Sequence, residues 1–278
     1  MATLLTGFAL LAGLVDTLDS TTVPNLLLRP IANRFYGAAP FTLTATSNSA
    51  GAITFVVVSG PATISGSVLT VTGIGTITVA VDQAATATYT AGTVVGSFVV
   101  SQAASLLTFL PVATVTFGVA PFTVDTTTLS ASAVSYFVLS GPATMAGNLV
   151  TITGGGIVVL GAGQPASSNY AAATATASFL VNPATAVLTF GLMPSGYLGS
   201  QLTVSATSAS TGAVTYMVLS GPASVVGALV TITGTTGTIV LEASQAATAN
   251  YTAATATTTF AVGGSGFGGA FGIFGSGL

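Results

Sequence analysis

The chain contains no cysteine, no histidine and no tryptophan, and lysine is missing as well, so that its only cations are Arg29 and Arg34. Each absence removes a class of function. Without cysteine there is no disulfide framework and no thiolate to hold zinc or act as a nucleophile. Without histidine or lysine the commonest general bases are gone, and the sequence reads as a non-enzyme with no catalytic, cofactor or metal site. Charge of either sign is scarce. The anions are Asp16, Asp19, Asp82, Asp125 and Glu242, and charged residues make up 3% of the chain, against about 25% in an ordinary globular domain. Nucleic acid, which needs clustered cations to neutralise phosphate, is excluded as a partner, and there is no polybasic patch for anionic lipid. Long apolar runs are absent too. Mean hydropathy is +0.91, yet Thr, Ser and Gly interrupt every run before the ~18 residues that a membrane-spanning helix needs.

What the chain has is a repeat. Ser-Gly-Pro-Ala-Thr stands at Ser59–Thr63 and Ser140–Thr144, and returns with a final Ser at Ser220–Ser224. Its glycines, Gly60, Gly141 and Gly221, lie 81 and 80 residues apart. A lone tyrosine follows each copy, Tyr89, Tyr170 and Tyr251, spaced 81 and 81. A weaker entry phrase precedes it, from Phe35, Phe117 and Gly196. One period in three registers means one structural unit written three times. The expected division is 25–102, 103–182 and 183–262, with joints of only a few residues at Ser101–Ala104 and Val181–Ala184 that would make a semi-rigid rod. Three closed units of this size fit a transmembrane barrel poorly.

Within the first repeat, Phe41-Leu43-Ala45, Ile53-Phe55-Val57, Leu69-Val71, Ile77-Val79-Val81 and Phe98-Val100 are period-2 runs alternating mostly with Thr, Ser and Ala, the period of half-buried strands. Gly51, Gly60-Pro61, Gly66, Gly73 and Gly75 mark the turns. Pro61 offers no ladder donor, so Ser-Gly-Pro-Ala predicts a tight bend between two strands. Gln83, Gln164 and Gln245 recur six residues before each tyrosine and are expected to pair with turn backbone. The tyrosines are expected to anchor the turn before the last strand, ring in the core and hydroxyl satisfied.

The order APFTLTATS, ITFVVVSGPATISGSVLTVTG, TITVAVDQAATATY and SFVV, echoed by VSYFVLSGPATMAGNLVTITG and VTYMVLSGPASVVGALVTITG, resembles the bacterial immunoglobulin-like (Big/MBG-type) tandem repeats of secreted surface proteins. The resemblance spans residues 25–262. It implies three tandem Ig-like β-sandwich domains, an all-β fold, and a role as spacer or adhesive stalk without catalysis, although such repeats commonly carry more charge.

The two ends read differently. Across residues 1–24, Leu4, Phe8, Leu11, Val15 and Leu18 form a helical stripe, ended by Asp19-Ser20 and Pro24. A leader is the competing reading, but it lacks a positive n-region. Residues 263–278 are glycine with Phe267, Phe271, Ile273 and Phe274. Within them GSGFGG matches G-x-G-x-x-G but has neither a following helix nor a distant acid, so it is no dinucleotide loop. Gly154-Gly155-Gly156 reads as a turn by the same reasoning. The carboxylates do not recur: Asp82 aligns with Gly163 and Ser244, and Glu242 with Ala80 and Gly161, so no shared acid or calcium site is written into the repeats. Asn250-Tyr251-Thr252 is the single glycosylation sequon, and surface Thr and Ser offer O-linked sites.

A sandwich surface without lysine has nothing to guard its edge strands and invites association with itself. The expectation is a self-assembling extracellular fibre or sheath subunit, placed outside the cell or at its surface. Its contacts to other copies would be the stripe Leu4, Phe8, Leu11, Val15 and Leu18 and the tail residues Phe267, Phe271, Ile273 and Phe274. The alternative is an adhesive stalk or virion fibre contacting a glycan or a cell-surface protein.

Overall fold

The computed structural model describes residues 21–193 and 195–263. All regular structure among them is β, and no helix occurs. The helix expected across residues 1–24, with Leu4, Phe8, Leu11, Val15 and Leu18, falls on residues 1–20, outside the described ones. Residues 21–24 are not helical, and Thr22 instead bridges Tyr89 in parallel. The tail residues Phe267, Phe271, Ile273 and Phe274 also lie outside the described residues. Among those described, no helix is long and apolar enough to cross a membrane.

The first repeat shows how the alternation becomes a sandwich. Its strands are β1 (Leu27–Leu28), β2 (Arg34–Phe35), β3 (Phe41–Thr42), β4 (Ala45–Thr46), β5 (Ile53–Ser59), β6 (Ala62–Ser65), β7 (Val68–Val71), β8 (Gly75–Gln83) and β9 (Gly92–Ser101). One sheet runs β2-β9-β8-β5, the opposing one β3-β7-β6, and β1 pairs with β4. β8 pairs antiparallel with both β5 and β9, while β2 runs parallel to β9. Lettered A to G along the chain, β1, β3/β4, β7 and β6 supply A, B, E and D, and β5, β8 and β9 supply C, F and G. That division between two facing sheets is the immunoglobulin-like arrangement. β1 and β2 are too short to carry an alternation of their own, which is why the sequence pattern does not reveal them.

Every second residue of these strands faces inward. Leu43, Leu69, Ile77, Val79, Phe98 and Val100 close the core, with the Phe41 and Phe98 rings edge to face at 5.9 Å. Leu26, Leu28 and Val81 extend it beneath β1. The same sheet set returns twice along the chain, around Val124, Val150, Val158, Leu160, Phe179 and Val181 and around Val204, Val230, Ile232, Ile239, Leu241 and Val262. In the third copy β2 has shrunk to one parallel bridge, Gly196 to Val262.

Ser-Gly-Pro is where the chain crosses from one sheet to the other. β5 shifts register between Val57 and Ser59, as its counterparts do between Val138 and Ser140 and between Val218 and Ser220. The next residue is glycine at φ 99°, 99° and 100°, a conformation that only glycine adopts cheaply. The proline carbonyl then accepts from Thr72, Thr153 or Thr233 at 2.8–2.9 Å. The bend expected from sequence is present, and it is a sheet switch.

By contacts the chain divides into two compact units. One comprises Met1–Leu107, Thr128–Ala133 and Gln164–Ala173; the other comprises Thr108–Thr127, Val134–Gly163 and Thr174–Leu278.

Candidate functional site

The polar residues singled out by sequence have local structural partners. Asp82 accepts from Thr93 at 2.7 Å, Asp125 from Asn148 at 3.4 Å, and Glu242 from Ser244 at 3.2 Å. No cluster of three metal-ligating side chains occurs among the described residues. The three glutamines are buried to 2%, 3% and 4% exposure at the end of each F strand. Gln83 Nε2 donates to the carbonyls of Ser49 (3.0 Å) and Gly51 (3.1 Å). Gln164 does the same to Ser130 (3.1 Å) and Ser132 (2.6 Å), and Gln245 to Ser210 and Gly212 (both 3.0 Å). The expected pairing with turn backbone therefore holds: each amide ties the B–C loop to the F strand.

The tyrosines depart from expectation. All three are half-buried instead of filling a core; the F–G loops that carry Tyr170 and Tyr251 face the preceding copy of the fold, while Tyr89 lies beside Thr22. Within the first compact unit, Tyr170 meets Tyr36 edge to face, with centroids 5.5 Å apart at 84°. Ala103 bridges Tyr170 in parallel, donating to Asn169 and accepting from Ala171 at 2.9 Å each. Within the second unit, Tyr251 meets Phe117 at 5.5 Å and 78°. Ala184 bridges Tyr251 there, donating to Asn250 (2.8 Å) and accepting from Thr252 (2.9 Å). The ring pair is thus the same inter-repeat device made twice, while the backbone bridge belongs to each repeat and is made three times, Thr22 to Tyr89 included. Sequence carried the signal in the common period of Tyr36/Phe117 and Tyr170/Tyr251, but period alone does not say that the two sets touch.

The second joint also absorbs two other sequence features. Asn250, the sequon asparagine, accepts the Gly155 N–H through Oδ1 at 2.8 Å. A Cβ on Gly155 would stand 2.0 Å from the Ala249 carbonyl oxygen, so the middle glycine of Gly154-Gly155-Gly156 is required by close approach and not merely by a turn.

The remaining candidate is a surface. The outward face of the C-F-G sheet in the first repeat exposes Val56 (48%), Val58 (58%), Val95 (58%) and Val99 (42%). In the second it exposes Phe137, Leu139, Ile157 and Leu180, and in the third Met217 and Leu219. Val58, Leu139 and Leu219 occupy one position of the C strand. That strand ends its sheet in every copy, and no other strand pairs with its outer edge among the described residues. An apolar edge strand without a charge is a template for pairing with another chain.

Comparison with known proteins adds likenesses of shape only. No family model matches the chain, and no curated protein matches it. Among solved structures, a Drosophila N-cadherin EC1-4 fragment aligns at 12% identity over 88% of this chain and 76% of its own, with a TM-score of 0.33. The I-band fragment I67-I69 of titin aligns at 13% identity over 85% and 97%, with a TM-score of 0.36. BT4661, a SusE-like surface-located polysaccharide-binding protein from Bacteroides thetaiotaomicron, aligns at 11% identity over 84% and 60%, with a TM-score of 0.24. Likenesses this loose say nothing about role or partners.

Proposed function

We propose that the chain is a structural subunit of a self-assembling extracellular fibre or sheath, built from three Ig-like domains at 25–102, 103–182 and 183–262. The observation that carries this reading is the repeated apolar C-F-G face with its unguarded edge strand. Residues that soluble sandwiches use to block such an edge are missing: among 278 residues there are seven charges, none of them lysine. Burial of these faces by further copies removes both the exposed apolar surface and the open edge. In this reading residues 1–24, through Leu4, Phe8, Leu11, Val15 and Leu18, and the tail, through Phe267, Phe271, Ile273 and Phe274, add contacts to other copies. The test is negative-stain electron microscopy across a concentration series, beside the variant Val58→Lys/Leu139→Lys/Leu219→Lys. Each substitution is expected to change stability by roughly 0.5 kcal/mol or less. Wild type should form fibres of regular width, and the lysine variant should stay dispersed with an unchanged melt. Dispersed wild type at high concentration sinks the proposal.

A second reading, an adhesive stalk or virion fibre, has one observation in its favour. Both cations line a single cleft of about 360 Å3 with Phe41, Thr42 and Thr44, and the Arg34 guanidinium lies 4.5 Å above the Phe41 ring. The equivalent cleft of the second repeat, lined by Leu110, Val115, Phe122 and Asp125, shows that the fold does not need arginine there. Arginine beside an aromatic ring is suited to an acidic sugar. An Arg29→Ala/Arg34→Ala variant that loses binding to acidic glycans while still assembling would establish adhesion as a separate function. Absence of any glycan binding by wild type would remove it.

A further inference from the structure

Both halves of the inter-repeat joint have an unmatched copy. The joint needs an A–B loop from one repeat and an F–G loop from the next. Two pairs are made inside the chain, Tyr36 with Tyr170 and Phe117 with Tyr251. What is left is the F–G loop of the first repeat, carrying Tyr89, and the A–B loop of the third, carrying Tyr197 and Leu198.

These leftover loops are already shaped for the contact. In the A–B loops Gly37, Gly118 and Gly199 share φ values of 81°, 87° and 82°. One turn bond recurs there too, from Ala38 to Phe35 (3.2 Å), Val119 to Thr116 (3.1 Å) and Ser200 to Tyr197 (2.9 Å). In the F–G loops the same N–H to carbonyl bond closes Thr86 to Tyr89, Ser167 to Tyr170 and Thr248 to Tyr251, at 2.9 Å each. The side chain at the first of those positions accepts from the tyrosine N–H at 3.1 Å in all three. The third A–B loop thus keeps the same turn although nothing among the described residues covers it, with its Gly199 N–H bonded to the Ile232 carbonyl at 2.9 Å. Tyr36 and Phe117 are half-buried in their joints, whereas Tyr197 and Leu198 are 62% and 51% exposed. No aromatic ring lies against Tyr89 among the described residues.

We infer that two copies of this chain join end-on by making the internal joint a third time, with the Tyr197–Leu198 loop of one copy seated on the Tyr89 loop of the next. This rests on the polymer reading above and specifies its axial contact. The new joint follows the Tyr36–Tyr170 pattern, because the glycine that allows the closer approach at the second joint, Gly155, is replaced by Thr235-Thr236 in the third repeat. Leucine in place of an aromatic ring makes the contact weaker than the internal two, which suits a joint that must form reversibly.

The test uses the full chain and a gain as well as a loss. Leu198→Phe restores the aromatic of the second repeat and should lower the critical concentration for fibre growth several-fold, the scale of one edge-to-face pair. Leu198→Asp, at an exposed position, should stop axial growth with an unchanged melt, and so should Tyr89→Asp. With the C-F-G faces blocked by Val58→Lys/Leu139→Lys/Leu219→Lys in both, an equal mixture of the two aspartate variants retains one good joint and should give dimers by sedimentation velocity. Fibres that grow from Leu198→Asp as from wild type, or a mixture that stays monomeric because residues 1–20 of the same chain cover Tyr89, overturn the end-on joint. Either result leaves assembly itself standing, whereas a wild-type chain that never assembles fails the polymer reading instead.

Discussion

Replacing Gly141 by alanine should unfold the second repeat at temperatures where the wild-type chain is fully folded. The residue sits at φ 99°, outside the left-handed region that alanine tolerates, and a Cβ built there stands 2.3 Å from the Ile157 carbonyl oxygen and 2.7 Å from Val158 Cα. Both are backbone atoms of the adjoining F strand, held by the pairing of Ser140 with Val159, so no side chain can swing aside. The backbone strain costs roughly 1–3 kcal/mol and the overlap about as much again, against the roughly 5–15 kcal/mol that holds a domain folded. Gly147→Ala is the matched control. That glycine lies at φ 60° with nothing within 4 Å of its Cβ, so alanine there pays about 1–2 kcal/mol for left-handed backbone alone. Urea unfolding followed by circular dichroism separates them. Equal midpoints for the two variants would mean that the Ser-Gly-Pro motif does not owe its glycine to the sheet switch.

The same motif shows how much of this fold the sequence discloses. Alternation exposes a strand when it runs for several residues with one face buried, and β5, β7, β8 and β9 all satisfy that condition. β2 does not. It is two residues long and its parallel pairing to β9 depends on where the chain re-enters the sheet, which no local pattern encodes. Repetition disclosed the period of the tyrosines and glutamines without their partners. For the glutamines, chemistry supplied the missing step, since a buried amide must find backbone groups to bond. For the tyrosines it did not. A half-apolar ring is equally at home in a core or at a joint, and only the placement of one repeat's A–B loop against the next repeat's F–G loop decides between them. The apolar C-F-G face is legible in part, since the alternation that turns Ile53, Phe55 and Val57 inward leaves Val56 and Val58 outward; that this strand ends its sheet is not, because its only ladder partner lies some way along the chain.

Gln164→Leu should destabilise the chain more than Gln245→Leu, although the residue, the position in the fold and the burial are alike. Gln164 makes four bonds. Its Nε2 serves the Ser130 and Ser132 carbonyls, and its Oε1 accepts from Thr128 at 2.5 Å and from Ser105 at 3.3 Å. Gln245 keeps the two donor bonds, but its Oε1 is buried with no partner among the described residues. Leucine fills either site with similar volume, so the difference lies in the polar groups left behind. Each buried group stripped of its partner costs about 1–3 kcal/mol. At both positions two carbonyls lose their donor; at 164 the exposed Thr128 and half-buried Ser105 also lose hydroxyl bonds worth about 0.5–1.5 kcal/mol each, whereas at 245 one already unsatisfied oxygen is removed. Roughly 2 kcal/mol should separate the variants, a gap readable in thermal or urea melts. The loss at 164 should also travel. The B–C loop it frees lies in the first compact unit with Tyr170, so amide exchange should accelerate at Ser130 and Ser132 and then at Tyr170 and Ala171, whose N–H groups bond Ser167 and Ala103. Equal stabilities for the two leucine variants would show that the hydroxyl bonds to Gln164 contribute nothing, and that the amide serves only to hold its two carbonyls.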